Sequence, residues 1–220
     1  MDRQTWIKHK RRRSEERMDT LFAPTYDEHW GSYSNDSHRA ILGRFLALCR
    51  PAGTILDAAC GTGKYWPTIL ESGRAVRGID QSQQMLVGAS AKFPSVPVEK
   101  LGLQEIHFVE TFDGIICMDA MEFVFPENWP LVVGNFHRAL KPHGHLYFTV
   151  ELIEEAELRA SMDAARAQGF PIVDGEFAHE DGYHFYPAIE QVRAWVAAAG
   201  FAILEEAVGD DYHHLLMRKT

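Results

Sequence analysis

Apolar positions along this chain fall into short runs and helical stripes that take turns through most of its length. Residues 36–49 set Ile41, Leu42, Phe45, Leu46 and Leu48 at spacings of three and four behind Asp36 or Ser37, which predicts a capped helix. Pro51-Ala52-Gly53 breaks that pattern. Short apolar strands are predicted at 54–58, 75–80, 112–118 and 145–150, with a weaker one at 96–99, whose Pro97 suits a sheet edge. Helical patterns lie between them, at 64–72, from Ser82 through Met85, Leu86 and Ala89, and at 128–140. Residues 152–187 differ: a helix at 154–168 leads into a Gly- and aromatic-rich stretch ending in Tyr183-His184-Phe185-Tyr186-Pro187. Alternation then resumes with a helix over Ile189 to Ala199. Two strands follow at 201–206 and 212–219, joined by so short a link that they form an antiparallel pair.

Strand-helix alternation with short apolar strands predicts an α/β fold, a doubly wound and mainly parallel sheet of seven strands with an antiparallel last strand. One domain over 1–220 is expected, with residues 1–35 as a tail and cap and 152–187 as a lid. In such sheets ligands bind beyond the carboxyl ends of the strands.

Composition narrows the class. No apolar run reaches the roughly 18 residues that a membrane span needs, and Met1 to Trp6 lacks a signal-type apolar stretch. Cys49, Cys60 and Cys117 are odd in number and lack C-x-x-C spacing, so neither a disulfide framework nor a metal site is expected. Both observations suit a cytoplasmic setting. The net charge of −9 argues against nucleic acid as the main partner. Residues 1–17 run the other way, with seven basic residues against three acidic ones, and read as a solvated, partly helical tail.

The candidate chemistry sits at the strand ends. The first strand runs into Asp57-Ala58-Ala59-Cys60-Gly61-Thr62-Gly63, where the glycines allow a sharp turn and close backbone approach to a ligand. The amides of the following helix point at the same spot. Asp57 would repel a pyrophosphate but suits an ammonium group, unless it only caps the turn. Asp80 ends the second strand, where a carboxylate can accept both hydroxyls of a ribose. A dinucleotide fingerprint needs a third glycine, and Trp66 stands in its place.

The stretch Thr54 to Gly63, then Val76-Arg77-Gly78-Ile79-Asp80-Gln81-Ser82 and Met85-Leu86, resembles the first two motifs of class I S-adenosylmethionine-dependent methyltransferases. The likeness continues through Phe112-Asp113-Gly114-Ile115-Ile116 and Leu140-Lys141-Pro142-His143-Gly144-His145-Leu146. Two departures are Ala59 and His143, where glycine is common in the family. The resemblance implies a Rossmann-like methyltransferase fold with S-adenosyl-L-methionine as cofactor. It implies that Asp57 meets the methionyl ammonium through water and that Ala59, Gly61 and Gly63 line the methionyl part. Asp80 would take the ribose, Gln81, Met85 and Leu103 the adenine, and Met118 the neighbourhood of the sulfur. Tyr26 and Trp30 would shield the sulfonium, or else pack the tail onto the sheet.

For an acceptor, a small molecule methylated at oxygen or nitrogen is expected, and no metal. Asp119 and Glu122 follow the fourth strand, with Glu122 the first candidate for substrate contact or a helix cap. In the lid, His179, His184 and Tyr186 can face the acceptor, and His184 suits a base near neutral pH. Tyr212 and His213 offer the same from the last strand. Two other functions stay open, a cofactor-binding protein without catalysis and a methyltransferase that docks a macromolecule through its basic tail. Oligomeric state is not legible.

Overall fold

The computed structural model describes residues 1–31, 35–180 and 182–220. At its centre is a seven-stranded sheet built from β1 (Thr54–Ala58), β2 (Ala75–Asp80), β3 (Val98–Lys100), β4 (Phe112–Cys117), β5 (Leu140–Glu151), β8 (Phe201–Gly209) and β9 (Tyr212–Lys219). Their order is β3-β2-β1-β4-β5-β9-β8. The first five pair in parallel, and β9 runs antiparallel to both β5 and β8. The chain starts in the middle and winds outward twice, so the order reverses beside β1, where a ligand crevice opens. β3 is an edge strand, as Pro97 suggests.

Helices cover both faces. On one, α3 (Asp36–Leu48), α4 (Trp66–Glu71) and α5 (Gln83–Lys92) pack Phe45, Trp66, Ile69 and Leu86 against Ile55, Ile116 and Tyr147. On the other, α6 (Trp129–Ala139) and α8 (Ile189–Ala198) bring Trp129, Val132, Phe136, Val192 and Val196 onto Leu56, Ile115, Leu146 and Phe148. The central strands β1 and β4 are buried on both faces, which is why they read as runs and not as alternations. The cap of α3 is Asn35, whose side chain accepts from the His38 amide, and not Asp36 or Ser37.

Two regions depart from expectation. The basic N-terminus is no solvated tail. It forms α1 (Arg3–Arg17), then a π-helical turn Met18–Phe22 and the short α2 (Tyr26–Trp30). Trp6 is buried among Phe125, Phe170 and Tyr183. Arg3 forks onto Glu127 and the fully buried Glu176, and Lys10 donates to the carbonyls of His179 and Glu180. A single buried apolar anchor leaves no helical stripe to read, and Arg3 and Lys10 have found particular acceptors instead of water. The region 152–187, expected as a lid, holds α7 (Glu155–Ala167) and a hairpin of its own, β6 (Glu176–Ala178) with β7 (Tyr183–Phe185), against which α1 is docked. No helix among the described residues is long and apolar enough to cross a membrane.

Candidate functional site

A cavity of about 310 Å³ lies over the carboxyl ends of β1, β2 and β4. Its floor is the turn after β1. Gly61 and Gly63 there have φ of +52° and +79°, and Ala59 sits at +63°. His143, at +62°, also occupies the left-handed region that favours glycine. Both departures from the family pattern thus carry backbone strain, of order 1 kcal/mol each.

Asp80 organises the turn. Its Oδ2 accepts from the Gly61 amide and its Oδ1 from the Ser82 amide, each at 2.8 Å. A carboxylate has about four acceptor positions, so two remain for a ligand in the cavity that Asp80 lines. Burial raises its pKa, and the Ser82 and Gly61 amides pull the other way. Asp57 is placed differently. It is 2% exposed, does not line the cavity, and accepts from the Trp66 indole at 2.8 Å. Burial pushes its carboxyl up to about 7, against the Trp66 hydrogen bond and with the help of the Asp80 and Asp119 charges. Trp66, which blocks a dinucleotide fingerprint, is therefore the residue that holds Asp57.

Of the other expected cofactor residues, Tyr26, Trp30, Ala59, Gly61, Gln81, Met85 and Leu103 line the cavity, whereas Gly63 and Met118 are buried and do not line it. Tyr26 is brought over the turn by the N-terminal segment. Asp19 accepts from Ser82 Oγ at 2.6 Å, and Asp27 binds Thr62 at 2.6 Å and Lys92 at 2.9 Å. Burial raises the Tyr26 phenol to about 12, with Asp119 and Asp80 adding to it.

On the acceptor side, Asp119 and Glu122 line the cavity with Tyr212. Asp119 has a φ of +54°, its amide held by Thr149 Oγ at 2.9 Å. Its carboxylate meets His38 Nε2 at 2.6 Å and accepts from Tyr65 at 3.2 Å. Glu122 is 4% exposed and its Oε2 has no hydrogen-bond partner. Burial, with the Glu151 charge second, raises its pKa well above the ordinary carboxylate value. His179, His184, Tyr186 and His213 do not line the cavity. His184 pairs with Glu151 at 2.9 Å and Tyr186 at 3.0 Å, and reaches the cavity only through Phe123, on which it packs edge-on. His213 pairs with Glu206 at 2.9 Å.

Reading the sequence missed Met18, Phe22, Asn35 and Lys64 in the lining and His38 and Tyr65 behind Asp119. Lys64 and Tyr65 adjoin the glycine turn and were within reach of a careful reading. His38 stands 81 residues from its partner and gave no local signal.

Comparison with known proteins finds methyltransferases. A methyltransferase-domain family model matches residues 55–144. An uncharacterized methyltransferase of Oceanobacillus iheyensis, OB1106, is 29% identical over 143 residues, covering 63% of this chain and 64% of that protein. YqeM of Bacillus subtilis is 36% identical over 104 residues, 44% of this chain and 42% of its own. The chain thus spans less than two thirds of either relative. The magnesium protoporphyrin IX methyltransferase of Synechocystis PCC 6803, solved with bound SAH, superposes with a TM-score of 0.72 at 15% identity, covering 96% of this chain and all of that one. At that identity the likeness speaks for the fold.

Proposed function

We propose that this chain is a class I S-adenosylmethionine-dependent methyltransferase that transfers a methyl group to a small-molecule acceptor at oxygen or nitrogen. The observation that carries this is Asp80 at the cavity rim, with both oxygens anchored by backbone amides and lone pairs left for a ribose. The lining fits the cofactor: Asp80 for the ribose, Gln81, Met85 and Leu103 around an adenine, and Ala59 and Gly61 along the methionyl part. Tyr26 and Trp30 face the sulfonium end, where aromatic faces attract a cation. Asp57 supports the turn through Trp66 and meets the ammonium group only through an intervening water.

The bound sulfonium supplies a methyl group that is already activated, so the protein's work is positioning and exclusion of water. Tyr26, Trp30 and the π-helical turn supply that cover. Glu122, whose Oε2 has no partner, takes a hydrogen bond from the acceptor, and Asp119 orients the acceptor from the other side. His184 acts at one remove, fixing Phe123 and Glu151.

The test is calorimetric titration of S-adenosylmethionine and S-adenosylhomocysteine, with NADH as control. Micromolar binding of both sulfur ligands and none of NADH is expected. No binding of either, or binding of NADH alone, refutes the reading. Glu122→Gln is expected to lower turnover far more than cofactor affinity.

A further inference from the structure

The acceptor end of the cavity holds two carboxyl groups in different states of satisfaction. Asp119 is held from behind by His38 and Tyr65 and by its own strained backbone, so its carboxylate is fixed in direction. Glu122 is nine-tenths buried and lines the same cavity, yet its Oε2 has no partner. Leaving such an atom unmet costs about 1–3 kcal/mol, a cost that a ligand carrying the complementary group removes. A carboxyl oxygen without a partner accepts an N–H, which a flat nitrogen compound presents on its edge. The walls are flat, from Tyr26, Trp30, Phe123 and Tyr212. Lys64 is the one cationic side chain among the described residues of the lining, and its charge already interacts with Asp119. An anionic acceptor would meet the Asp119 carboxylate with no second cation to offset it.

Resting on the methyl-transfer reading above, we propose that the acceptor is a planar nitrogen compound whose N–H groups are received by Glu122 and Asp119, and that it is methylated at nitrogen. The acceptor nitrogen forms the N–C bond as the C–S bond breaks, its electron pair staying on sulfur. The proton lost from nitrogen passes to Asp119. His38, which touches the carboxylate and not the cavity, is a positioning residue for that step.

The experiment titrates protein saturated with S-adenosylhomocysteine, at pH 7, with two flat probes of similar size, 2-aminopyridine and benzoate. We expect 2-aminopyridine to bind at least tenfold more tightly than benzoate, and Asp119→Asn to reduce that preference at least fivefold. Benzoate binding equally or better overturns the proposal, as does failure of both probes on protein that holds S-adenosylhomocysteine. Loss of S-adenosylhomocysteine binding itself is read first, because it refutes the methyltransferase reading and this inference with it. Should the Asn variant not fold, the wild-type order of the two probes still decides.

Discussion

Replacing Asp80 by alanine separates the two tasks that the structure gives this side chain. In the free protein the amides of Gly61 and Ser82 lose their acceptors, both at 2.8 Å. Water can enter from the cavity, so the cost is set at about 2–4 kcal/mol for the pair rather than the full value of two charge-assisted hydrogen bonds. For a domain of this size that corresponds to a fall in Tm of about 4–16 °C. Toward the ligand, two hydroxyl donors lose a carboxylate, about 1.5–3 kcal/mol each. The dissociation constant of S-adenosylhomocysteine should therefore rise roughly a hundred- to ten-thousand-fold, at about 1.4 kcal/mol per tenfold. Differential scanning fluorimetry reads the first effect. Calorimetry well below the variant's Tm reads the second. A folded variant whose affinity falls less than tenfold would refute the ribose role, and an unchanged Tm would refute the role in the turn.

Three further outcomes are expected. Asp57 is raised from 3.8 to about 7 by burial, so the folded state binds the extra proton between those values. Its stabilising effect is complete below about pH 4 and is lost as pH rises through 7. Asp57→Asn keeps an acceptor for Trp66 without the proton. In urea titrations from pH 5 to 8 its stability should gain steadily on wild type, by about 3 kcal/mol across that range, and parallel profiles would contradict this. Trp6→Ala empties the aromatic site under α1 and should cost about 3–5 kcal/mol; stopped-flow should also show faster release of S-adenosylhomocysteine as the N-terminal cover loosens. Gly78→Ala puts a methyl 2.5 Å from the Trp66 ring and 2.8 Å from Cys60 Sγ, so a loss of about 1–3 kcal/mol is expected in the same urea assay.

The sequence by itself determined the layered α/β architecture and the place of the cavity, because both follow from short-range physics. Apolar runs for twice-buried strands, stripes for the helices between them and glycines in the β1 turn are local properties. With Asp80 at the end of β2 they put the crevice where the strand order reverses. What a side chain does within that frame depended on partners far away in the chain. Asp57 and Asp80 look equivalent as acidic residues at strand ends. Packing turns Asp57 under the Trp66 indole and Asp80 out to the cavity. His179 and His184 had the right chemistry, but Phe123 and Glu151 hold His184 back from the cavity. His38 and Asp119 meet across 81 residues, and α1 docks by one tryptophan and two forked or bridging cations onto a hairpin more than 160 residues further on. Only the tertiary structure decides such pairings, because periodicity reports which face of an element is buried and not which distant group will satisfy it.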